Sequence, residues 1–206
     1  MSEHSHQSHM RPFVLGLTGS IGMGKSAVAA MFLGLDVPVF DADAAVHLLQ
    51  GPGGALLAAI EAEFPGTTGP NGVDRAKLGA QVFGQPESLT RLEAIVHPAV
   101  AAMRAEFLGR HAAAPLVVFD IPLLFEKGGT SQVDAVLVVS ASPKAQRARV
   151  LARPGMTTEK FKQILALQVP DANKRAMADH VIDTGTSLAA TRHAVQRLVH
   201  QLTHHE

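Results

Sequence analysis

The segment Gly19-Ser20-Ile21-Gly22-Met23-Gly24-Lys25-Ser26 has the spacing G-x-x-x-x-G-K-[ST], the pattern of a loop that cradles phosphate. Glycines let such a backbone turn its N–H groups inward without Cβ clashes. Those N–H groups, with the N-terminus of a following helix, hold phosphate oxygens. In that geometry Lys25 reaches the β/γ-phosphates and the Ser26 hydroxyl ligates Mg²⁺. The competing reading is an ordinary Gly-rich turn from strand to helix. Context favours the phosphate loop: Phe13–Leu17 reads as a short buried strand, and a helix with Val28, Met31 and Phe32 at helical spacing opens near Lys25.

Three further groups could do chemistry. Asp41-Ala42-Asp43 follows the apolar run Val37–Phe40, at the strand edge where the phosphate loop is also expected. A carboxylate there could accept a hydroxyl proton as the oxygen attacks a γ-phosphate. Equally, Asp41 could cap the next helix, or Asp43 could do the capping or assist a metal. Asp120 ends the apolar strand Leu116–Asp120, where a carboxylate would hold Mg²⁺, often through water; the alternative is a solvated strand end. Arg149 and Arg153 are four apart, so a helix would set them on one face, either as positive charge over a transferring phosphoryl group or as a solvent face. His97, before Pro98, reads without context as a structural histidine or a helix-start residue.

The elements that must position these groups follow from the apolar pattern. Strands are expected at Phe13–Leu17, Val37–Phe40, Leu116–Asp120, Ala135–Val139 and His180–Ile182. Pure apolar strands alternating with helices predict an α/β fold with a parallel sheet of about five strands, covered on both faces. Residues 55–113 read as helical without a strand run, interrupted by PGTTGPNG at 65–72; Leu78, Val82 and Phe83 share one face there, and Leu89, Leu92, Ile95 and Val96 another. Residues 143–178 read as charged helices, and Ser187 caps a terminal helix. The two helix-rich stretches are expected as insertions above the strand-end edge where ligands bind.

Composition narrows the function classes. The 206 residues carry 18 Lys plus Arg against 18 Asp plus Glu, which disfavours a protein that coats nucleic acid. There is no cysteine, so disulfides, cysteine-ligated zinc, iron–sulfur clusters and thiol nucleophiles are excluded. No apolar run is long enough to span a membrane and the polar start is not a secretory signal. With no Trp or Tyr, stacking on single strands has little support. Histidines cluster at the ends (His4, His6, His9, and His200, His204, His205), as a metal-binding tail or as solvated termini. A switch GTPase is disfavoured: Asn173-Lys174-Arg175-Ala176 misses the guanine motif, and Asp120 is not followed by x-x-Gly.

Read in order, LTGSIGMGKS (17–26), VFDAD (39–43), NGVDRAKLGAQVF (71–83), IVHP (95–98), FDIPLLFE (119–126), the run from Ser142-Pro143 to RVLAR (149–153), QILALQ (163–168) and ADHVIDTG (178–185) resemble the dephospho-CoA kinase family over nearly the whole chain. The resemblance implies ATP-dependent phosphorylation of the ribose 3′-hydroxyl of dephospho-CoA, the last step of coenzyme A synthesis, with ATP and Mg²⁺. It implies a P-loop kinase fold: a nucleotide-binding core (12–54, 115–142, 179–203), a helical substrate domain (55–114) and a lid (143–178); residues 1–11, whose histidines have no family counterpart, are expected as a disordered tail. Gly19, Gly22, Met23, Gly24, Lys25, Ser26 and Ala27 then fall on ATP, joined by Arg149 and Lys174; Asp41 is the base, with Lys25, Arg149 and Arg153 catalytic. Arg75, His97, Pro122 and Leu123 fall on the acceptor side with Asp41, and Ser26 on Mg²⁺, with Asp120 through water. Three positions depart from the family pattern: Ala27 stands where Thr is frequent, Arg153 precedes Pro-Gly, and Thr184 replaces a frequent Asn near the adenine side. The expected protein is cytoplasmic, a monomer or weak homo-oligomer, and binds neither nucleic acid nor membrane. The rival readings are another P-loop small-molecule or nucleotide kinase, and a non-catalytic ATP-binding regulatory protein.

Overall fold

The computed structural model describes residues 11–204. Two compact units divide the chain: residues 1–39 with 111–206, and residues 40–110. The division falls before the expected boundary at residue 54, so the helix after Asp41 groups with the helical unit.

The first unit is built on a parallel sheet. Its strands are β1 (Phe13–Thr18), β2 (Val39–Asp41, which carries the chain out of the unit), then β5 (Leu116–Asp120), β6 (Ala135–Ser140) and β7 (His180–Asp183). The order is β2-β5-β1-β6-β7, five strands as expected. β1 lies at the centre, with Leu17 beside Asp120 on one side and Leu137 on the other. Phe13–Thr18, Leu116–Asp120 and Ala135–Ser140 are buried almost throughout rather than on alternate residues, because helices cover both faces. On one face α1 (Lys25–Leu33) and the last helix, α9 (Leu188–Thr203), set Val28, Phe32, Val195 and Leu198 against Leu15, Leu17 and Leu137. On the other, Val136 and Val138 meet Leu124. Each such fully buried side chain contributes about 1.5–3 kcal/mol. Between β6 and β7 run α6 (Pro143–Leu151), α7 (Thr158–Ala166) and α8 (Asp171–Met177). Ser142, Thr157 and Ser187 cap α6, α7 and α9, so each helix starts where a hydroxyl can accept from its first turn. Arg11, placed by sequence in the free tail, is tied to Asp134 by paired contacts of 2.6 and 2.8 Å. His4, His6, His9 and His205 lie outside the described residues.

The second unit holds α2 (Ala42–Gln50), α3 (Leu57–Glu63), α4 (Arg75–Val82) and α5 (Pro86–Arg110) around a core of Leu49, Leu56, Ile60, Phe64 and Leu78. Three expectations change here. PGTTGPNG contains a hairpin, β3 (Thr68–Gly69) with β4 (Gly72–Val73), too short to show a period of two. Glu61 accepts from Gly66 and Thr68 N–H and from the Thr68 hydroxyl, which fixes the turn and holds its carboxyl below the usual range. His97-Pro98 does not start a helix: α5 runs through it, giving up the one bond a proline nitrogen cannot make. Phe83 leaves the face of Leu78 and Val82, because the chain turns extended at that residue and exposes 84% of it. Leu89 is also outside the core, whereas Leu92, Ile95 and Val96 pack on it as their spacing predicts.

Candidate active site

The phosphate loop joins β1 to α1. Gly22 and Gly24 have φ of 78° and 86°, a region costly for residues with a Cβ. Gly24 sits at the N-cap of α1, and among the described residues no side chain caps that helix. Its first amides therefore keep the positive end of the helix dipole open to an anion. A Cβ on Gly22 would collide with Val150 Cγ2, so the loop lies directly against α6.

Lys25 and Ser26 begin α1, and the Lys25 ammonium forms an ion pair with Asp120 at the end of β5. Asp120 is only 4% exposed, so it is not a solvated strand end. Ser26 is exposed, its hydroxyl in the first turn of α1. A hydroxyl and a carboxylate are hard oxygen donors, the set that suits Mg²⁺.

Met23 and Ala27 flank the glycines, Met23 buried and Ala27 exposed. Thr184 closes the loop from the side. Its hydroxyl donates to the Met23 carbonyl at 2.7 Å and accepts from Arg149 Nη1 at 3.1 Å. Arg149 Nη2 adds a bond of 2.6 Å to the Thr184 carbonyl. Thr184, noted in the sequence only as a departure, thus links the Arg149 guanidinium to the phosphate loop. Arg153 lies beyond the end of α6 and is exposed. Lys174 is 0% exposed: its ammonium meets Glu126 at 2.7 Å inside the unit. Burial pushes the Glu126 carboxyl up, but hydrogen bonds from Lys174 and from backbone N–H groups, Val169 among them, outweigh it and hold it below the usual range. Pro122 and Leu123 stand in the loop after β5, where the Thr18 hydroxyl donates to the Pro122 carbonyl at 3.1 Å.

In the helical unit Asp41 caps α2: its Oδ1 accepts from Ala44 N–H at 2.9 Å. Asp41 rather than Asp43 does the capping, and Asp41 remains exposed. Asp41, Asp43, Leu48 and Arg75 line a cavity of about 740 Å³. Arg75 opens α4, capped by Asp74, and its Nη2 lies 2.7 Å from His47 Nδ1. Because a guanidinium has no acceptor, that ring nitrogen must be the unprotonated one. His97 is exposed on α5.

A parallel sheet in this strand order, a phosphate loop after its central strand and a strand-end aspartate paired with the loop lysine define the P-loop kinase class. Within that class, residues 13–190 match the family model for dephospho-CoA kinase. The chain belongs to the dephospho-CoA kinase family. It is 70% identical to the dephospho-CoA kinase of Novosphingobium aromaticivorans, over 92% of this chain and 94% of that one. It is similar to the crystal structure of TT1252 from Thermus thermophilus at 35% identity and a TM-score of 0.83, covering 95% of this chain and 100% of that one. The dephospho-CoA kinase of Campylobacter jejuni shares the fold at 22% identity and a TM-score of 0.61, over 92% and 96% of the two chains.

Proposed function

We propose that this protein transfers the γ-phosphate of ATP to the ribose 3′-hydroxyl of dephospho-CoA. The observation that carries the reading is the phosphate loop with its Lys25–Asp120 pair, in a chain whose residues 13–190 match the family. ATP phosphates lie on the amides of Gly22, Gly24, Lys25 and Ser26 at the head of α1, with Gly19, Met23 and Ala27 shaping the loop. Lys25 leaves Asp120 for the phosphates, an exchange of one anion for another that keeps its charge compensated. Ser26 and Asp120 are the groups that would hold Mg²⁺, Asp120 through water; the ion supplies charge neutralisation on the phosphate oxygens.

Asp41 accepts the proton of the attacking hydroxyl; its cap uses Oδ1 and leaves Oδ2 for that role. Arg75 and His97 bind the acceptor's anionic groups, while Pro122 and Leu123 flank it. Arg149 and Arg153 bring positive charge to the transferring group, Arg149 from its anchorage on Thr184. The reading includes a cytoplasmic location and a monomeric or weakly self-associating state. ADP release over a panel of acceptors, with and without Mg²⁺, tests it. Turnover restricted to dephospho-CoA and abolished by chelation is expected; equal turnover of an unrelated hydroxyl acceptor would overturn the substrate.

A further inference from the structure

Two glutamines hold the two peptide groups that flank Ile21 in the phosphate loop. Gln146 Nε2 donates to the Ile21 carbonyl at 2.8 Å, and Ile21 N–H donates to Gln168 Oε1 at 3.1 Å. Gln146 is a buried residue of α6, and Gln168 follows α7. The chain between them carries Arg149, Arg153 and all of α7. Ile21 therefore bridges the two roots of the arginine-bearing excursion.

The second root is itself fixed. Val169 N–H, one residue after Gln168, donates to Glu126 Oε1 at 2.9 Å, and the same oxygen meets buried Lys174 at 2.7 Å. Removing either charge would strand the other inside the unit, so the pair resists displacement. Glu126 lies in the loop after β5, whose last residue, Asp120, holds Lys25. The half-buried Glu126 carboxylate thus sets the backbone beside Gln168, and Gln168 accepts from Ile21 N–H.

We propose that Gln146 and Gln168 are positioning residues for phosphoryl transfer: they couple the phosphate loop to both roots of the 147–167 excursion, with Glu126 and Lys174 anchoring the second root. The proposal rests on the phosphate-loop reading above. It gives Lys174 a role through Glu126 rather than a direct contact with ATP. The amides of the loop serve as a cradle only when the loop holds one shape, and the loop changes shape only by breaking a bond to one root. A change in the excursion on ATP binding then reaches the loop through Ile21, alongside the Arg149–Thr184–Met23 contact.

The test uses the full chain with Gln146→Met, Gln168→Met and the double variant. Methionine keeps the size of the side chain and removes the hydrogen bond. Each single variant is expected to weaken Mg·ATP binding, and to raise the KM for ATP, about 3- to 10-fold. The KM for dephospho-CoA stays within about twofold. Because both bonds act on the same residue, Ile21, the double variant is expected to lose less than the product of the two single losses. Gln168 is only half-buried, so its variant keeps a folded reading if Gln146→Met unfolds. Unchanged ATP affinity in folded Gln168→Met would overturn the proposal, as would an equal rise in both KM values or fully multiplicative losses. Direct calorimetry of Mg·ATP separates this from the functional reading. If the wild-type protein binds ATP but leaves dephospho-CoA unchanged, the substrate assignment fails while the affinities still judge the glutamines.

Discussion

The two units assign chemistry in different ways. In the sheet-based unit, the groups assigned to ATP are held by backbone or by buried partners. The glycine conformations, the Lys25–Asp120 pair and the Arg149–Thr184 bonds are all fixed before a ligand arrives. In the helical unit, Asp41, Arg75 and His97 stand exposed on helix starts and faces, above a core that they do not enter. The difference teaches where precision is built in. The side assigned to ATP is preorganised by the fold, whereas on the side assigned to the acceptor Asp41 and Arg75 are exposed and held only by local bonds, to Ala44 N–H and to His47 Nδ1.

The sharpest way to break this comparison is Asp41→Asn. Asparagine caps a helix about as well as aspartate, so the melting temperature and the Kd for ATP should hold. The lost base should cost about 10²–10⁴ in kcat. Near-normal turnover would remove the catalytic role assigned to Asp41. Lys25→Ala comes next, with about 10²–10³ lost in kcat, measured beside ATP affinity; an effect confined to the dephospho-CoA KM would reverse the assignment of the units. A cavity in the helical core, Ile60→Ala, should cost about 2–5 kcal/mol of that unit's stability. The comparison expects it to raise the KM for dephospho-CoA while ATP binding by calorimetry survives. Arg75→Ala should raise the same KM about tenfold, the worth of one charge-assisted bond, without moving the KM for ATP.

The smallest effect is in acid. Paired bonds from Arg11 and the Val14 N–H hold the Asp134 carboxyl below its usual range against the opposing effect of burial, and Glu126 is likewise lowered. A carboxylate with a depressed folded-state pKa contributes stability above its unfolded value, about 4, and loses it as the pH falls through the folded value. Melting temperature should therefore fall progressively below about pH 4. Asp134→Asn, which keeps an acceptor for Val14, should melt a little lower at pH 7 and show a shallower acid slope.

How much was legible follows from how far apart the partners lie in sequence. The phosphate loop is eight consecutive residues with its strand and helix on either side, so pattern alone finds it. The same holds for β1, β5 and β6, whose buried runs need no partner to be seen, and for Asp41, which carries both of its readings in one local motif. What could not be read depends on distant pairing. Ile21 meets Gln146 and Gln168, 125 and 147 positions away, and Glu126 meets Val169, 43 away. Only the place of Gln168 in the QILALQ motif hinted at it. The hairpin at Thr68–Val73 escaped because two residues per strand cannot show alternation. Phe83 was misplaced because helical spacing says nothing of where the backbone leaves the helix. The helix-start alternative at His97-Pro98 fails because the proline signal is the same at the first turn and in an interior that tolerates the lost bond.

The most direct test of the central claim is a single-turnover reaction of the purified protein with ATP, Mg²⁺ and dephospho-CoA, the product read by mass and by phosphorus NMR. One added phosphate on the ribose 3′-oxygen, with ADP released in equal amount, is the predicted result. A folded protein that binds ATP yet leaves dephospho-CoA unmodified, or phosphorylates it elsewhere, would contradict the account.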